Sequence, residues 1–164
     1  MLTKSKFSTK ELILTALVAG IYVAVTLVFA PISFGPIQLR IAEIFNILVI
    51  YNRRYILSVT LGVFISNIAS PLGPLDVIWG SAATCITLII IYLVVKNITN
   101  ENLKLAYCVV IVTFSMFTVA LELFWILHYP FWITFGTVAA GEFIVMCAGA
   151  LIFKIINKHI NLCR

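Results

Sequence analysis

The feature that most restricts this chain is where its charges fall. Long apolar runs take up most of the sequence, and the charged residues sort by sign to opposite ends of those runs. Ten of the eleven basic residues (Lys4, Lys6, Lys10, Arg53, Arg54, Lys96, Lys104, Lys154, Lys158 and Arg164) fall in segments that would share one side of a membrane. Four of the six acidic residues, Glu43, Asp76, Glu122 and Glu142, lie on the other side or reach in from it, joined by a single cation, Arg40. The partition gives +8 on one side and −3 on the other. Cytoplasmic loops carry an excess of Lys and Arg. Both termini, the turn at 52–54 and the loop at 96–104 are therefore expected in the cytoplasm, which requires an even number of spans.

The apolar runs are too extensive for a soluble core. The 164 residues are 63% hydrophobic and 10% charged, against about 45–50% and about 25% in a soluble domain. Lipid is the solvent that such a surface needs, and a cell membrane is the expected location. The formal charge of +5 does not point to nucleic acid. It sits in short connections and at the termini rather than on a groove-facing stripe.

A helical span needs about 20 apolar residues. The sequence divides into candidate spans at about 11–30, 38–51, 54–70, 76–95, 103–127 and 131–156. Pro31, Gly35 and Pro36 break the chain after the first. Pro71, Gly73 and Pro74 break it after the third, and Pro130 separates the last two. The second span is short, covering roughly 21 Å at the α-helical rise, so it is expected among longer neighbours. The runs do not alternate with period two, which excludes a barrel. The expectation is an all-α membrane protein of six transmembrane helices, one integral-membrane domain over 1–164. The first run exceeds the roughly 7–15 residues of a secretory signal core and is read as a retained span. Cys85, Cys108, Cys147 and Cys163 lack metal-ligand spacing and are read as free thiols. His128 and His159 are isolated, so neither a metal or haem pair nor a nucleophilic triad is expected.

An ionised group at mid-bilayer costs about 2.5–3.5 kcal/mol on insertion scales. The five ionisable groups of the second side must therefore face one another, a cavity or water. Arg40 and Glu43, spaced i,i+3, share one helix face, as do Asp76 and Trp79. Glu142 is the deepest, near mid-membrane. In the plainest arrangement Arg40 pairs with Glu43, and Asp76 caps a helix after the turn at 71–74. That leaves Glu122 and Glu142 without a cation. Either some carboxyls are protonated, or the site awaits a ligand with donors or positive charge. Phe34, Trp79, Trp125, Tyr129, Phe131 and Trp132 gather on the same side. Trp125, Tyr129 and Phe131 suit an interfacial belt; Trp79 and Trp132 suit stacking on a flat ring. Asn67, Ser70 and Thr134 add hydrogen-bonding groups. Carboxylates with aromatic faces fit a planar heterocycle bearing several N–H donors.

Three stretches carry a resemblance. They are Phe34-Gly-Pro-Ile-Gln-Leu-Arg40-Ile-Ala-Glu43, Asn67-Ile-Ala-Ser-Pro-Leu-Gly-Pro-Leu-Asp76-Val-Ile-Trp-Gly80, and Gly141-Glu142. Together they resemble the QueT family, substrate-binding S components of energy-coupling factor (ECF) transporters. Ala42 departs from that family's Arg-x-Ser-Glu pattern and lacks its hydroxyl. The resemblance implies an S-component-like bundle that captures a queuosine precursor, a 7-deazaguanine base, from outside. It implies a transmembrane coupling subunit and two cytoplasmic ATPase subunits as partners. No Walker sequence and no cofactor is expected in this chain, which is read as a transport subunit and not an enzyme. The substrate-binding set would comprise Arg40, Glu43, Asn67, Asp76, Trp79, Glu122, Trp132 and Glu142, with the loop 31–37 as a lid. Ala16, Gly20 and Ala24 recur every four residues and let another helix approach closely. The resemblance makes that helix the coupling subunit's, and packing within this chain is the alternative. Other readings of the whole are an S component for a different small vitamin, or a ligand-free structural or assembly subunit.

Overall fold

The computed structural model describes residues 9–35, 38–160 and 162, with the side chain of Lys10 left out. Lys4, Lys6, Pro36, Cys163 and Arg164 lie outside the described residues. Helices form where the apolar runs are; Pro71, Gly73 and Pro130 lie between them, while Pro31 and Pro74 stand in the first turns of helices. Helix α1 covers Thr9–Val28 and α2 the four residues Ala30–Ser33. A 3-10 helix covers Ile41–Ile50, followed by α3 (Arg54–Asn67), α4 (Pro74–Val95), α5 (Glu101–Leu127) and α6 (Phe131–His159). No strand occurs among the described residues.

Local chemistry accounts for the ends. Gly73 takes φ 73° just before α4, whose first residue is Pro74, where a missing N–H costs nothing. Asn100 caps α5, its side chain accepting from the N–H groups of Asn102 and Leu103, which would otherwise be orphaned. His128 closes α5 in the left-handed conformation, two residues before Pro130.

Four helices, α1, α4, α5 and α6, are long and apolar enough to cross a membrane. Only 22% of the apolar window is buried in α1 and α4, and 33% in α5 and α6. The outer faces of these helices carry residues such as Leu12, Ile78, Phe114, Ile133 and Leu151 in the open. Apolar surface on that scale belongs in lipid rather than water. The two remaining expected spans are shorter. The third is a 14-residue α-helix of about 21 Å. The second is a ten-residue 3-10 helix of about 20 Å.

Helices α1, α3, α4, α5 and α6 pack side by side in that order, and the 3-10 helix touches all five. It is the axis of the bundle. Runs of 3-10 helix beyond three or four residues are uncommon, and enclosure by five neighbours sustains this one. Its three residues per turn sort the sequence into columns. Ile41, Ile44, Ile47 and Ile50 form one. Ala42, Phe45 and Leu48 form another, with Phe45 against the rings of Tyr22 and Phe153. The third begins Arg40, Glu43, Asn46 and is polar. In an α-helix at 100° per residue, Asn46 would point about 60° away from Glu43; three residues per turn aligns the two, and Arg40 precedes them at the extended N-cap. Around the axis, Tyr22, Ile47, Leu88, Ile91 and Met146 are fully buried.

One end of the bundle gathers six cations, Arg53, Arg54, Lys96 and Lys104, with Lys154 and Lys158 on the last turns of α6. Glu101 ties this end together, accepting from Tyr51 Oη at 2.8 Å and from Asn157 Nδ2 at 3.0 Å. Cys85, Cys108 and Cys147 are free.

Candidate functional site

At the opposite end the bundle holds a hollow of about 620 Å³, its opening included. Arg40, Glu43, Asp76, Glu122 and Glu142 all line it. Four elements supply them: the 3-10 helix with its N-cap, the first turn of α4, and facing positions of α5 and α6. One guanidinium and four carboxyls give the lining a formal charge of −3.

The pairings differ from the plainest expectation. Arg40 does not bond Glu43; its Nη2 donates to Asp76 Oδ2 at 3.3 Å, and its guanidinium lies 5.3 Å from the centre of the Phe34 ring, within cation–π range. Asp76 is not a cap. Gly73 occupies the N-cap of α4, and Asp76 sits inside the first turn, where the helix dipole favours an anion. Its Oδ1 accepts from Asn67 Nδ2 at 3.0 Å, and the same amide donates to the Asp76 carbonyl at 2.9 Å. Gly80 makes this contact feasible: a Cβ there would lie 2.6 Å from Asn67 Nδ2 and 2.9 Å from Asp76 Oδ1. Asn67 thus stands behind Asp76, outside the lining.

Glu43 draws its donors from elsewhere. Tyr22 Oη donates to its Oε1 at 2.7 Å, and Asn46 Nδ2 donates to its Oε2. Tyr22 reaches it from α1, pressed against Gly62 of α3, where a Cβ would come within 2.8 Å of the tyrosine. Glu122 and Glu142 are different. They are 5% and 3% exposed, and Oε1 of each has no hydrogen-bond partner among the described residues. The Asn46 side-chain carbonyl is likewise unpartnered. Buried polar groups are nearly always hydrogen-bonded, and leaving one unmade costs about 1–3 kcal/mol, more for a charge. Three unpartnered acceptors are thus buried beside a space that can admit donors.

Trp79 lines the hollow. Its Nε1 donates to Thr118 O at 3.1 Å, and Trp125 meets it edge-on at 5.5 Å. Trp132 lies elsewhere: it is 77% exposed, packed edge-on against Phe131, and is not in the lining. Thr134 turns its hydroxyl to the Pro130 carbonyl. Ser70 accepts from Leu72 N. Among the described residues no three His, Cys, Asp or Glu converge as a metal-ligand set.

Reasoning from sequence missed several lining residues, among them Asn46, Thr84, Thr87, Ser115 and Thr118. The signal was their spacing. Asn46 follows Glu43 by three. Thr84 and Thr87 continue the three-and-four stepping of Asp76, Trp79 and Gly80 along α4, and Ser115 and Thr118 lead to Glu122 on α5. Ala16, Gly20 and Ala24 all face outward on α1, and a Cβ on Gly20 would meet nothing within 4 Å.

Comparison with known proteins agrees with this architecture. A family model described as QueT transporter matches residues 12–158. A protein of Lactococcus lactis subsp. cremoris (strain MG1363), named queuosine precursor transporter QueT, is 34% identical over 168 residues, covering 97% of this chain and 99% of the relative. No solved structure matches. With four helices able to cross lipid, the chain is a multi-pass membrane protein of a prokaryote, a transporter and not an enzyme. It belongs to the QueT transporter family.

Proposed function

We propose that this chain is the substrate-capture subunit of an ECF-type importer, and that its ligand is a queuosine precursor, a 7-deazaguanine base. The observation that carries the reading is the pair Glu122 and Glu142, each buried with an unpartnered carboxyl oxygen in one hollow. A base with several N–H groups satisfies such acceptors, and the relative's name supplies the class of base. Glu43 and Glu142 accept from the N–H edge of the base, and Glu122 from groups nearer the mouth. Trp79 stacks on the ring. Arg40, held by Asp76, guards the entrance, and Asn67 fixes Asp76.

In this reading the polypeptide passes the membrane six times. The 3-10 helix makes its crossing enclosed by five α-helices, and α3 makes its own in the outer ring between α1 and α4. Both termini and the basic end are cytoplasmic by charge bias, so the hollow opens outward. The outward stripe Ala16, Gly20, Ala24 meets a helix of the transmembrane coupling subunit, and two ATPase subunits on the cytoplasmic side supply the energy. Nucleic acid has no part.

The test is equilibrium binding of deazaguanine bases, against a panel of vitamins, to purified protein. Deazaguanines are expected to bind and the vitamins not to. Glu142→Gln is expected to weaken binding roughly 10- to 150-fold, the loss of one charge-assisted hydrogen bond. Full affinity in that variant would remove Glu142 from the site, and preference for a vitamin would replace the ligand.

A further inference from the structure

A second hollow lies at the basic end, between the turn after the 3-10 helix, the end of α4 and the start of α5. Arg53, Lys96 and Lys104 line it together with Tyr51 and Tyr92, over a floor that includes Val49 and Val95. No carboxylate is in its lining. Among the described residues none of the three cations is joined to an acid. The nearby Glu101 is engaged by Tyr51 and Asn157. Three like charges around one concavity repel one another, and an anion seated between them relieves that repulsion.

We propose that this hollow seats the phosphate headgroup of an anionic phospholipid. The position favours a lipid over a dissolved anion. The hollow sits at the end of membrane-crossing helices, where headgroups lie. Beside it, Leu93 and Val94 on α4 and Leu103 and Tyr107 on α5 are exposed, an apolar wall along which acyl chains can run. Lys and Arg side chains place their charged heads at that depth while their stems cover apolar surface. Basic pockets between transmembrane helices on the cytoplasmic side are a known form of headgroup recognition.

The experiment is native mass spectrometry of the intact chain released from mixed micelles of dioleoyl phosphatidylglycerol and dioleoyl phosphatidylcholine. The wild-type protein is expected to retain phosphatidylglycerol selectively. The variant R53Q/K96Q/K104Q is expected to lose that retention on the order of tenfold to a hundredfold. The variant K154Q/K158Q, which removes two cations of the same end outside the hollow, is expected to retain it. If the triple variant does not fold, K96Q and K104Q singly are each expected to weaken retention by about fivefold. Equal retention of the two lipids overturns the proposal. So does an equal loss in K154Q/K158Q, which would mean diffuse surface charge. Displacement of the lipid by millimolar inorganic phosphate would make the hollow a site for the free anion and overturn the lipid assignment.

Discussion

The two ends of this bundle both collect like charges, yet they hold them by different means. At the basic end Arg53 and Lys96 stand exposed on flexible stems, and water or a counter-ion is always within reach. At the other end four carboxyls line a hollow, and donors both near and far in the chain support two of them. Tyr22 and Asn46 hold Glu43, while Arg40 and Asn67 hold Asp76. The difference shows what burial demands of charge. A surface cation needs only the right loop. A buried carboxyl needs a partner at a stated distance, and among the described residues none reaches Oε1 of Glu122 or of Glu142.

If that contrast is correct, deletions at the two ends should differ steeply in effect. The largest is expected for Arg40→Met, which leaves Asp76 buried without its cation. Breaking a buried pair from one side costs about 3–5 kcal/mol, to be read as lowered stability in detergent unfolding, with ligand affinity lost alongside. A cost as small as that of a surface charge would break the comparison. Next is Gly80→Ala, where the added methyl collides with Asn67 and Asp76. Overpacking costs about 1–3 kcal/mol, and Asn67→Ala combined with it should recover part of the loss. Tyr22→Phe keeps the ring against Gly62 but removes one donor from Glu43. We expect about 1–2 kcal/mol, seen as a several-fold change in ligand dissociation constant with little change in helix content. Trp132→Ala, outside the hollow, should alter ligand affinity by less than about twofold, since a side chain that exposed contributes little. A larger effect would bring Trp132 back into the site.

Much of the lining of this hollow is legible in the sequence. Arg40, Glu43, Asp76, Glu122 and Glu142 stood out because charge in an apolar run must find company, and one hollow does receive all five. Trp79 followed from its spacing to Asp76, and the outward stripe on α1 from its four-residue repeat. The pairings could not be read. Arg40 lies three residues from Glu43 and thirty-six from Asp76, and local spacing favours the near partner. Chain packing chose the far one. Asn46 was missed because a neutral amide in an apolar run stands out less than a charge, and Trp132 was included because an aromatic near a span end looks alike whether it faces ligand or lipid.

The apolar runs, their breaks at proline and glycine, and the sorting of charge dictate a helical membrane protein with a polar cluster toward one end. These are properties of residues and their near neighbours, so they survive in one dimension. The winding of the axial segment is another matter. Residues 41–50 become a 3-10 helix because five helices enclose them, and that winding aligns Glu43 and Asn46 along the hollow, with Arg40 just before them at the N-cap. Which donor reaches which carboxyl depends on distances between segments that are remote in the chain, and these exist once the helices have packed.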